Sequence, residues 1–163
     1  MVKKQHKILR KKTIYSKGPI CLVSCDFEMP DGRILSRQIL EHPGCVVIIP
    51  KTASGRFILV RQYRFPLREH LWEFPAGGRE EGESFAIAAK RELMEEIGMR
   101  PGKLQKVLEF FPTPGVSAEK MHVFLASKLH EAFAPKDDDE EFEVREFSLT
   151  EIGKMIRKKE IVD

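Results

Sequence analysis

The stretch that decides the fold runs from Gly77 to Met99 and reads GGREEGESFAIAAKRELMEEIGM. Its glycines make a turn that carries Glu83. A helix follows, whose second half holds Arg91, Glu92, Glu95 and Glu96, and Gly98 ends it. Like charges at helical spacing repel, and no core asks for them. A divalent cation offsets that repulsion: Mg²⁺ is a hard ion that takes carboxylate oxygens and commonly shares its shell with a phosphate. At about 100° per residue, Ala86, Ala89, Leu93 and Ile97 form one narrow apolar stripe, the face that packs on a core. Glu92 and Glu96 lie one turn apart on the flank of that stripe, with Glu95 further round. Ser84 suits an N-cap and Gly98 a left-handed terminator. The plain alternative is a solvated acidic helix in which Arg91 pairs with Glu95.

Outward from the helix the chain reads mostly as strands. Towards the N-terminus these are residues 7–15, 20–28 and 33–41, with Pro30-Asp31-Gly32 as a turn. CVVII at 45–49 is short and wholly apolar, which predicts a buried strand. Residues 57–63 and 71–74 follow as strands, and the second leads through Pro75-Ala76 into the glycines. After the helix come strands at 104–111, 120–129 and 142–149, separated by a stiff Pro112-Thr113-Pro114-Gly115 loop and an acidic run, Lys136–Glu141. Thr150 is read as the cap of a last helix reaching about Lys159. Strands with one central and one terminal helix predict an α+β or mixed α/β fold.

With 163 residues, 42% hydrophobic and 33% charged, the chain suits one globular domain with an extension and excludes a disordered one. No apolar run approaches the roughly 18 residues of a membrane span, so no membrane partner is expected. Cys21, Cys25 and Cys45 are odd in number and lack metal-ligand spacing, which predicts reduced thiols in a cytoplasmic protein. A net charge of +3 does not demand nucleic acid. The basic run Lys3, Lys4, Lys7, Arg10, Lys11, Lys12 fits a solvated strand edge better than an RNA or lipid site.

The central stretch resembles the Nudix box: glycine, then Glu, then Arg-Glu-aliphatic-x-Glu-Glu-x-Gly-aliphatic. Gly77, Glu83, Arg91, Glu92, Leu93, Glu95, Glu96, Gly98 and Met99 all fit. RQYR at 61–64, LWEFPAG at 71–77 and FPTPGVSAE at 111–119 are similar to the ADP-ribose pyrophosphatase branch of the Nudix hydrolases. Pro114 stands sixteen residues after Gly98, a spacing associated with that branch.

The resemblance implies the Nudix fold, a mixed sheet sandwiched between helices. Residues 44–163 would form it, and an N-terminal antiparallel strand region, residues 1–43, would dimerise, in many members by strand exchange. It implies hydrolysis of the pyrophosphate bond of ADP-ribose or a related nucleoside diphosphate sugar, with two or three Mg²⁺ ions per site and Mn²⁺ as a substitute. Carried over residue by residue, the metal ligands are Glu92, Glu96 and the backbone carbonyl of Ala76, with Glu95 helping to bind or orient the cluster. Arg91 holds a box carboxylate, and Glu83 orders the loop or reaches a metal through water. The general base comes from the late acidic run, with Glu140 preferred and Glu141 next. Arg64, then Arg37, are the phosphate contacts, since guanidinium matches phosphate oxygens bidentately. Glu73 and Glu119 flank the site for sugar or metal-bound water, whereas Trp72 and Phe111 are read as core. Competing functions are a broad GDP-mannose-type hydrolase, an RNA or cap pyrophosphohydrolase, and a non-catalytic nucleotide-sugar sensor.

Overall fold

The structure, a computed structural model, describes residues 6–132 and 143–162. The chain divides into two compact units. The first spans the N-terminal strands up to Gly44 and takes in Phe110–Lys120 as well; the second holds the remainder.

In the first unit, β1 (Lys7–Lys17), β2 (Ile20–Glu28) and β3 (Ile34–Glu41) form an antiparallel meander in that order. The β2–β3 turn works as its residues predict: Gly32 takes φ 85° and Asp31 accepts from the Arg33 main chain and side chain. β1 is an edge strand exposed along its whole length, with Ile8 and Ile14 more than half exposed. Its lysines occupy the solvated edge the sequence predicts, and Lys11 pairs with Glu41 at 2.7 Å. Phe110–Lys120 joins this unit through main-chain bonds, Leu40 N–H to Val116 O and Ala118 N–H to Leu40 O, both 2.9 Å.

The second unit carries two sheets. One is β7 (Ala76–Gly78), β4 (Cys45–Pro50), β9 (Met121–Glu131) and β8 (Met99–Phe110), in that spatial order. It is mixed, because β4 runs antiparallel to β7 and parallel to β9. The other is antiparallel: β10 (Glu143–Phe147), β5 (Phe57–Arg64) and β6 (Glu69–Glu73). Two helices, α1 (Phe85–Ile97) and α2 (Leu149–Arg157), complete the described elements, a mixed α+β architecture. β4 is buried at alternate positions, Val46, Ile48 and Pro50, while Cys45, Val47 and Ile49 are half-buried despite the wholly apolar run; Val46 and Ile48 pack with Ala88, Ala89 and Leu93 of α1 and Phe124 and Ala126 of β9. No helix among the described residues is long and apolar enough to cross a membrane.

Several sequence expectations need correction. The buried face of α1 is Ala88, Ala89, Leu93 and Glu96, while Ala86 is exposed. Seven residues make nearly two helical turns, so Glu96 lies within about 20° of Ala89. The face against β4 and β7 is therefore centred on a carboxylate, not flanked by one. Ser148, not Thr150, caps α2: its hydroxyl accepts from Glu151 N–H at 3.2 Å while the Glu151 carboxylate accepts from Ser148 N–H at 2.7 Å. This reciprocal pair fixes the helix start two residues early, and the helix ends at Arg157. β8 begins at Met99, directly after the helix, despite Pro101 and Gly102. Ala76–Gly78, too short and too small to show a strand pattern, is a strand because β4 offers it a partner.

Candidate active site

Two local signals set the helix that carries the carboxylates. The Ser84 hydroxyl accepts from Ile87 N–H at 3.3 Å, and Gly98 at φ 68° returns its N–H to the last carbonyls. Between them α1 presents Arg91, Glu92 and Glu96 towards β7, with Glu95 beside Arg91.

Arg91 is the hub. Its Nη1 donates to Glu92 at 2.8 Å and to Glu95 at 2.9 Å. Nε and Nη2 make a fork on the Glu83 carboxylate at 3.2 and 3.1 Å, and Nη2 also reaches the Gly78 carbonyl at 2.9 Å. One cation thus binds three carboxylates and the β7 main chain. Burial alone would weaken its charge, but Glu83, Glu92 and Glu95 together hold the guanidinium above its ordinary range. Burial likewise works against ionised Glu83, yet the Arg91 hydrogen bonds and the Glu80 N–H outweigh it and keep that carboxyl below the usual carboxylate range. Arg91 does pair with Glu95, as in the plain alternative, but Glu92 and Glu83 share it.

Glu92 and Glu96 are placed by β7. A Cβ at Gly77 would lie 2.1 Å from the Glu92 carboxylate carbon, so the space a side chain would fill holds that carboxylate. Glu96 is only 3% exposed, and Ala76 N–H donates to its Oε1 at 3.3 Å. An ionised carboxylate in an apolar cluster is costly unless a counter-charge or several donors meet it.

The structure brings Ala76, Gly77, Glu83, Arg91, Glu92, Glu95 and Glu96 together. Arg64 and Glu73 meet each other: Arg64 Nε donates to Glu73 at 2.9 Å, and its Nη2 bonds the second oxygen. Glu73 is buried, and Gln62 adds a 3.4 Å contact. Gln62 has no place in the sequence-based site, although Gln62 and Arg64 share a face of β5 by simple alternation. Arg37 and Glu119 belong to the first unit. Arg37 is exposed and bonds the Ser36 carbonyl at 2.9 Å, while Glu119 sits 4.0 Å from His42. Glu140 and Glu141 lie outside the described residues. Phe111 is 52% exposed, which corrects its assignment to the core. Trp72 is half-buried, edge-on to Phe147 at 5.0 Å.

Residues 41–163 match the NUDIX domain. The chain is 38% identical over 161 residues to an ADP-ribose pyrophosphatase of Bacillus subtilis (strain 168), covering 98% of this chain and 87% of that protein. It is 34% identical to a methanol dehydrogenase activator of Bacillus methanolicus, with the same coverage. A crystal structure of an ADP compounds hydrolase superposes with a TM-score of 0.84 at 22% identity, over 98% of this chain and 87% of that one, a likeness of fold.

Proposed function

The chain belongs to the NUDIX domain family, and from that premise we propose that it hydrolyses the pyrophosphate bond of ADP-ribose or a closely related nucleoside diphosphate sugar, releasing a nucleoside monophosphate and a sugar phosphate. The observation that carries this reading is the convergence of Glu92 and buried Glu96 on β7, with Arg91 linking Glu92 to Glu95.

That donor set fits a divalent metal, which the family generally uses. The ligands are hard oxygens on one helix edge, and Gly77 keeps clear the space that the Glu92 carboxylate occupies. Glu92, Glu96 and the Ala76 carbonyl would hold Mg²⁺, two or three ions in all, with Mn²⁺ able to substitute. When bound, the metal neutralises phosphate charge and makes water a better nucleophile.

The chain's own residues do the positioning. Arg91 draws Glu92 and Glu95 together and ties them to β7, so the carboxylates need little rearrangement. Glu83 orients Arg91 from the loop side. Glu73 holds Arg64 in a fixed orientation, and this 42% exposed side chain is the first phosphate contact. Arg37 is the second phosphate contact, Glu119 a contact to sugar or metal-bound water, and Glu140 the base, with Glu141 next. The exposed edge of β1 suits pairing with a second copy, which supports a homodimer built on the N-terminal strands. The cysteine pattern supports a cytoplasmic location.

The test is a substrate panel with Mg²⁺: ADP-ribose, ADP-glucose, GDP-mannose, NADH, diadenosine polyphosphates and nucleoside triphosphates. ADP-ribose should give the highest kcat/KM. A preference for triphosphates or diadenosine compounds would overturn the substrate class.

A further inference from the structure

We infer that His122 is a positioning residue for the acidic site, acting through its stack on Phe85, a ring that Arg79 also packs over. His122 lies on β9, opposite Val46 of β4, and is 7% exposed. Its imidazole stacks on the Phe85 ring with centroids 3.6 Å apart and planes 18° from parallel. That occupies one face of the ring. The Arg79 guanidinium also lies over this ring, its carbon 5.1 Å from the centroid. Glu109 of β8 stands 3.7 Å from the imidazole Nδ1 and is itself bonded by Lys106.

The stack connects the sheet to the start of α1 and the loop before it. Phe85 is the first residue of α1, directly after its cap. Arg79 Nη1 donates to the Glu83 carbonyl at 3.1 Å, which fixes the main chain of the loop whose side chain grips Arg91. Arg91 in turn sets Glu92 and Glu95. Between β7 and α1 the loop holds itself through Arg79, Glu83 and the Ser84 cap, and Phe85 is where it meets the sheet. The aromatic pair supplies an anchor there from β9. An aliphatic residue at 122 could fill the space but would not offer a planar face to Phe85, so the loop would lose its register while the core stayed full.

This inference rests on the assignment of Glu92 and Glu96 as cation ligands, and its test separates the two. The full-length chain is compared with His122→Leu, His122→Phe and Phe85→Leu. Mn²⁺ alone is titrated and the free ion followed by electron paramagnetic resonance, while amide exchange is followed in metal-free protein. Leucine at either position should weaken Mn²⁺ binding by about tenfold, the scale of lost outer-shell support around a metal. It should also speed exchange at the Glu83 and Ile87 amides. His122→Phe keeps a stacking face and should restore both readouts to near wild type, which a mere packing role would not require. Wild-type behaviour of both leucine variants would overturn the inference, as would equal loss in His122→Phe and His122→Leu. If the wild-type chain bound no Mn²⁺, the metal assignment would fall, and the metal-free exchange rates alone would decide the stack.

Discussion

Gly77→Ala isolates the placement of one carboxylate. The new Cβ would sit 2.1 Å from the Glu92 carboxylate carbon and Oε1, and 2.4 Å from Oε2. Carrying that carboxylate out to the 3.4 Å of an ordinary contact takes about 1.3 Å. The obstacle is the far end of a flexible side chain, so the backbone need not move and the fold should survive. The Glu92 to Arg91 bond of 2.8 Å cannot survive a shift of that size along its axis. A reacting group displaced by about 1 Å costs roughly a hundredfold in rate, and loss of support around a metal costs about 10–100-fold in affinity. Gly77→Ala should therefore keep a near-native melting curve, lose about a hundredfold in kcat with ADP-ribose, and bind Mn²⁺ at least about tenfold more weakly by calorimetry. Wild-type kcat and metal affinity in this variant would refute the placement of Glu92. An unfolded variant would show that the β7 main chain, not the side chain, cannot yield.

Four further outcomes follow from the same geometry. Glu96→Gln removes a buried charge of the same shape, so melting in metal-free buffer should hold or rise while Mg²⁺-dependent turnover disappears; retained turnover would sink its assignment as a ligand. Arg91→Met leaves Glu83, Glu92 and Glu95 without their shared cation, and urea unfolding should show a loss of roughly 3 kcal/mol, the lower end for breaking a buried pair because 22% of the side chain is exposed. The Ser148 N–H and hydroxyl, with Arg56 beside them, lower the pKa of Glu151. Its contribution to α2 is thus complete above the unfolded value of about 4.3 and fades as pH falls through the lower folded value, so Glu151→Gln should flatten the acid limb of a stability-versus-pH curve. Ile8→Lys together with Ile14→Lys adds like charges to the already basic, exposed β1 edge, and light scattering should show a dimer mass falling to that of a monomer.

Local patterns in the sequence were enough for most elements, because their causes are local. CVVII has no polar position and formed a strand buried on one face, Asp31-Gly32 had to turn, and Ser84 and Gly98 bounded α1 with their own hydrogen bonds. The spacing of Arg91, Glu92, Glu95 and Glu96 likewise announced a shared charge problem on one helix edge. Which edge faced inward was a different matter. Ala86 and Ala88 are the same residue type, and only the positions of β4 and β7 buried the second and exposed the first. The short strand Ala76–Gly78 has no pattern of its own and exists because β4 lends it a ladder. Arg64 and Glu73 each read as a substrate contact, since a sequence shows charges without showing which ones face each other. The β5–β6 register sets Glu73 opposite Val60 and Glu69 opposite Arg64, and the long Arg64 side chain reaches back to Glu73. His122 and Phe85 are far apart along the chain, and nothing short of the parallel pairing of β4 with β9 brings their rings together. What the sequence by itself determined was the chemistry: hydrogen-bonding caps, apolar runs and a helix carrying more carboxylates than it could neutralise. Tertiary structure alone decided which carboxylate was buried, which arginine was tethered and what braced the loop, because those depend on contacts between residues that no local spacing relates.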